Sequence, residues 1–226
     1  MRSPHRMVLT LAAFGLLAAP VLAQRPGGGG FGFGGPPGGP TLLLNKSVQD
    51  ELKLSDELKG KLTKINEKRG EEMRKVFQDS QGDREKMQEG MKKLTDETNK
   101  AIAEVEKGLT ADQTKRFKQI EVQMAGIRAF SLPEVQKALS LTDKQKTDAK
   151  AAIDAVQKDT REMMQGVDFT DREKMQETRK KIEAMTKEAF DKLTGTLSAD
   201  QKKTWSELTG AKFEFKPDPF RRPGGN

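Results

Sequence analysis

The chain has 226 residues, of which 33% are charged and 5% aromatic, with a formal net charge of +7. It has no cysteine and no tyrosine, and its one histidine is His5. Beyond His5 this excludes disulfides, thiol chemistry, His-based nucleophilic triads and the usual Cys/His zinc sites. With the basic residues of the two ends set aside the charge is nearly balanced, so no basic face for nucleic acid is expected.

Met1–Ala23 reads as a secretory signal peptide: Arg2 and Arg6, an apolar run over Met7–Ala19, then Val21 and Ala23 before a cut. The run is too short to span a bilayer comfortably, and no later segment approaches it. A periplasmic or secreted protein without stable membrane insertion is expected. Residues 24–40, QRPGGGGFGFGGPPGGP, read as a Gly/Pro-rich flexible leader.

The body is built twice. DREKMQE occurs at Asp83–Glu89 and again at Asp171–Glu177. Shifted by 88, Asp83–Val122 matches Asp171–Gly210 at 16 of 40 positions. Upstream the offset is 87, and SVQDELKLSDELK (Ser47–Lys59) matches EVQKALSLTDKQK (Glu134–Lys146). The one-residue difference belongs in a loop, near QDSQGD in one copy and QGVDFTD in the other. These matches define two tandem helical units, Thr41–Arg128 and Ala129–Gly210. The remainder, 211–226, carries Pro217, Pro219 and Pro223 and reads as a flexible Pro-rich tail.

Within the first unit Leu58, Leu62, Ile65 and Met73 fall at helical spacing, with Val76 and Phe77 closing the stripe. Met87, Met91, Leu94, Thr98, Ile102, Val105 and Leu109 make a second apolar face, and Phe117, Ile120, Met124 and Ile127 a third. The second unit repeats this with Ile153, Val156 and Met163, then Ile182, Met185, Ala189 and Leu193, then Trp205 and Leu208. Two long helices joined by a short polar loop pack antiparallel. The expected fold is all-α: two tandem helical-hairpin units of long amphipathic helices in an extended, cradle-like shape.

Four sites share a helix-start pattern: Leu54-Ser55, Leu109-Thr110 with Gln113, Leu141-Thr142 with Gln145, and Leu197-Ser198 with Gln201. The hydroxyl accepts from an orphan backbone N–H, and the glutamine three residues on reaches back to the N-cap amide. At the first site Leu58 stands where the glutamine is expected, so that box is broken. One such cap precedes each long hairpin and another follows it. Four good caps and nothing more is the plain structural reading.

That pairing resembles the Spy/CpxP-like family of periplasmic proteins with LTxxQ motifs, over about Ser47–Gly210. The resemblance implies ATP-independent holding of unfolded or envelope proteins, or an envelope-stress role. In some branches it implies a metal-responsive or regulatory sensor. Family members carry one unit per chain and dimerise; here two are fused, so a monomer with an internal pseudo-dimer, or a homodimer, is expected. A structural helical spacer is the remaining alternative. No enzyme chemistry and no cofactor are expected. The methionines, with Met87 and Met91 one turn apart and Met163 and Met164 adjacent, are core filling, an adaptable partner surface or Cu(I) thioether ligands.

Overall fold

The computed structural model describes residues 38–168 and 171–218, which lie in one compact unit, Gly32–Asn226. The signal-peptide reading and most of the leader lie outside them. The described residues are all-α, as the periodicity predicts, with no strand among them. A 3-10 helix at Gly39–Leu44 leads into α1 (Lys46–Glu51), α2 (Asp56–Ser80), α3 (Arg84–Glu106) and α4 (Ala111–Ala125). A second 3-10 helix at Gly126–Ser131 leads into α5 (Pro133–Ala138), α6 (Asp143–Gln165), α7 (Arg172–Gly195) and α8 (Ala199–Thr209). The starts from the first 3-10 helix to α2 recur 87 residues later, and those of α3 and α4 recur 88 later.

Local chemistry sets these boundaries. Asp83 caps α3 by accepting from the Glu85 and Lys86 amides, and Asp171 caps α7 from Glu173 and Lys174. Helix α1 ends with Lys53 in the left-handed region (φ 49°), the Lys53 N–H on Asp50 C=O and the Leu54 N–H on Gln49 C=O. That paired closure satisfies the last carbonyls of the helix. Ser140 does the same after α5, with φ 48°. Each closure turns the chain into the next capped helix.

Helices α2 and α3 pack along one another, as do α6 and α7. Pairing of α2 with α3 runs antiparallel: a Cβ on Gly90 would sit 2.7 Å from Val76, and one on Gly108 would sit 3.0 Å from Leu58. Gly90 thus permits the close approach of the two backbones.

Two apolar clusters result. The first gathers Leu42, Leu43, Val48, Leu52, Leu62, Ile102, Phe117 and Ile120. The second gathers Ile127, Ala129, Phe130, Val135, Leu139, Ile153 and Leu193, with Trp205 and Phe190 packed against it. Full burial of a side chain such as Ile102 or Ile120 stabilises by about 1.5–3 kcal/mol. Helices α4 and α8 pack side by side across the repeats. Gln119 donates to Glu207 C=O at 3.0 Å and Gln123 to Ala211 C=O at 2.8 Å, so equivalent positions meet.

Three sequence expectations change. Phe77, placed on the apolar stripe, is 52% exposed, because α2 turns it off the face that meets α3. Residues 39–40 of the expected leader already belong to the first 3-10 helix. Residues 211–218 of the expected flexible tail run extended along the first repeat, with Phe213 and Phe215 packed on its core. The prolines there exclude helix, but they do not prevent an extended segment from docking.

Candidate functional site

Three of the four motif sites close a full capping box, and the first makes half of one. Leu54, Leu141 and Leu197 are buried, and Leu109 packs partly buried on the first core, so each motif leucine anchors a helix start in apolar surroundings. Thr110, Thr142 and Ser198 each accept from the N–H of the glutamine three residues on. Oε1 of Gln113, Gln145 and Gln201 accepts in return from the N-cap N–H, at 2.9, 3.0 and 2.9 Å. Ser55 accepts from Leu58 N–H at 3.4 Å with no reciprocal bond.

The glutamines also tie separate helix starts together. Gln113 Nε2 donates to Leu52 C=O at 3.0 Å, and Gln201 Nε2 to the equivalent Leu139 C=O at 3.1 Å. The start of α4 or α8 is thereby fixed to the turn before α2 or α6. In the second repeat the two motifs also meet directly. Gln145 Nε2 donates to Gln201 Oε1 at 2.9 Å, and Gln201 Nε2 to Gln145 Oε1 at 3.0 Å. Gln145 Nε2 also reaches Thr196 C=O at 3.3 Å. In the first repeat Leu58 replaces Gln145, and Gly108, the counterpart of Thr196, leaves room for it. The first repeat therefore lacks the amide pair: Gln113, the counterpart of Gln201, keeps its bond to Leu52 C=O and has no glutamine at position 58 to meet.

Sequence reasoning assigned these glutamines to their own caps and missed the cross-links. The available signal was that the motifs come two to a unit. It also missed Leu42–Leu44, three consecutive leucines that are all buried.

The arms beyond the cores are less covered. Between Ile153 and Leu193 no described residue is buried, and Val156, Met163, Met164, Met175, Ile182 and Met185 are half-buried. In the first hairpin Met91, Leu94 and Thr98 are buried, while Met73, Val76 and Met87 are half-buried. The flanks are lined with solvated ion pairs such as Glu57–Lys61 (2.7 Å) and Glu188–Lys192 (2.7 Å). The Lys61 hydrogen bond holds the Glu57 carboxyl below its usual range, and Lys192 does the same for Glu188. Such exposed pairs contribute little to stability. Among the described residues no cluster of His, Cys, Asp and Glu is arranged to hold a metal ion, and no helix is long and apolar enough to cross a membrane.

An aromatic group marks the second core. Phe130 stacks on Trp205 at 4.8 Å and 11°, and Phe190 meets both rings at 6.1 and 6.0 Å. In the first core Leu43, Ile102 and Phe117 hold the equivalent positions.

Residues 211–218 form the other organised surface contact. Ala211 C=O accepts from Arg116 Nη1 at 2.8 Å as well as from Gln123 Nε2. Phe213 N–H donates to Gln123 Oε1 at 2.9 Å, and Lys216 N–H to Ser47 Oγ at 3.2 Å. Lys216 C=O accepts from Asn45 Nδ2 at 3.0 Å. Arg116 is itself oriented by Glu51, at 2.7 Å.

No family model, curated protein or solved structure matches the chain.

Proposed function

We propose that this protein is an exported helical protein-binding module that holds partly unfolded envelope proteins without ATP, in the manner of the Spy/CpxP-like family. The observation that carries the reading is the half-covered apolar and methionine-rich surface of the hairpin arms. A two-helix arm covers only one side of each apolar stripe, so Met163, Met164, Met175 and Met185 stay partly accessible. Flexible thioethers adapt to varied apolar partners, and promiscuous binders use such surfaces. The flanking Lys and Glu side chains keep the arms solvated between clients. Two fused repeats make the chain its own pseudo-dimer, so holding activity belongs to the monomer.

The test is light scattering of a denatured client diluted into buffer, with and without the purified chain, ATP-free and with chelator. Suppression of aggregation that survives the chelator supports the reading. No suppression of several unrelated clients overturns it, and loss on chelation assigns the activity to a metal-responsive protein instead.

A further inference from the structure

The segment 211–218 is bound as a peptide would be. It is extended, and it is gripped mainly through its backbone: the Ala211 and Lys216 carbonyls and the Phe213 and Lys216 amides each meet a side chain of α4 or α1, or the Asn45 cap. Its two apolar side chains, Phe213 and Phe215, are alternate residues, and both pack on the first core. Main-chain bonds supply affinity with little sequence demand, while alternate side chains supply selectivity.

The second repeat differs at this place. Positions equivalent to Phe213 and Phe215 are Ala125 and Ile127, which pack on the second core and continue into the buried Ala129 and Phe130. Asn45 and Ser47 are replaced there by Leu132 and Glu134. No residue of 211–218 is buried, and both phenylalanines are half-exposed. The segment is therefore docked but not locked.

We propose that this face of the first repeat, bounded by Arg116 and Gln123 of α4 and by Asn45 and Ser47, is a binding site for extended polypeptide with aromatic side chains at alternate positions. The chain's own 211–218 fills it in cis and competes with incoming clients. The proposal rests on the holding reading and adds to it a specific site and a built-in competitor. A tethered occupant acts at millimolar effective concentration. The site therefore responds to abundant or tight-binding unfolded chains and ignores dilute ones.

The experiment measures fluorescence anisotropy of a labelled peptide of sequence AKFEFKPD against the full chain. Binding to Phe213→Ala/Phe215→Ala is expected to be about tenfold or more tighter than to the unaltered chain, because a site open a small fraction of the time loses apparent affinity in that proportion. A peptide with both phenylalanines changed to alanine is expected not to bind. Equal affinity for both chains, or no binding to a variant with native helix content, overturns the proposal. A second measurement needs no variant. Excess peptide added to the unaltered chain is expected to accelerate amide hydrogen exchange at Phe213 and Lys216 and leave α4 unchanged; unchanged exchange at those two amides overturns it. Aggregation assays run in parallel separate the two claims. Peptide binding without suppression keeps the site and removes the holding reading, and suppression without peptide binding does the reverse.

Discussion

Removing the amide pair between Gln145 and Gln201 tests whether the motif glutamines act as a cross-link. Gln201→Ala deletes the bond to Ser198 N–H, the bond to Leu139 C=O and both bonds to Gln145. Each net hydrogen bond is worth about 1 kcal/mol, less for the exposed cap, so the expected loss is about 3–4 kcal/mol. Gln145→Ala loses the Thr142 cap, the weaker bond to Thr196 and the same pair of bonds, about 3 kcal/mol. The double variant loses the shared pair of bonds only once, so the two single losses exceed the double loss by about 2 kcal/mol. Urea melts followed by fluorescence are the assay, because Trp205 is the only tryptophan and stacks on Phe130 in the same repeat. Gln113→Ala combined with Gln201→Ala joins sites in different repeats and is the additive control. Strict additivity of the Gln145 and Gln201 losses would refute the cross-link and return these residues to simple capping.

Thr110→Ala and Ser198→Ala each remove half of a closed capping box and are expected to cost about 1 kcal/mol; Ser55→Ala, with one long bond and no reciprocal, costs less, and thermal melts read the ranking. Gly210 has φ 62° and ψ −156°, a backbone conformation strained for any side chain, and a Cβ there would also displace the Gln119 amide, so Gly210→Ala is expected to lower stability by about 1–3 kcal/mol in denaturant melts. Asp171 accepts backbone hydrogen bonds from Lys174 and Glu173, that of Lys174 foremost, which hold its carboxyl below the usual aspartate range. The folded value being the lower one, its capping contribution is complete above the usual carboxylate pKa and is lost as the pH falls through the lowered value. Asp171→Asn is therefore expected to flatten the acid limb of stability below about pH 4, and melts across pH 2–6 check it.

Much of the fold was legible because its signals are local. The spacing of Leu94, Thr98, Ile102 and Val105 needs only one helix to be interpreted, and all four are buried. Thr142 and Gln145 lie within one helical turn, so their mutual bonds follow from sequence distance alone. The contacts between Gln201 and Leu139, or Lys216 and Asn45, are decided by tertiary placement, and no short window contains both partners. The segment KFEFK did carry a clue, since alternation of apolar and polar residues is the mark of an extended chain with one side covered. The arms were harder to judge. Ile182 and Met185 keep helical period as faithfully as Leu94 does, yet they remain half-buried, because periodicity reveals which way a residue faces and not whether anything arrives to cover it.

Ala125 and Ile127 finish the core of the second repeat, and Phe213 and Phe215 finish that of the first, so each half lends its closing residues to the other. At the same place Lys46 N–H meets the Asp218 carboxylate at 3.3 Å, a few residues from Gly38. The path of the described residues thus comes back to the start of their first α-helix, as a ring does. Join Asp218 to Gly38 through a short linker and reopen the ring between Ala125 and Ile127, and the two crossings exchange roles: Phe213 and Phe215 become an internal connection, and Ile127 lies beside a loose end. Which crossing carries a free end is a property of where the ring is cut, but the two beds differ: Asn45 and Ser47 grip one crossing where Leu132 and Glu134 stand beside the other.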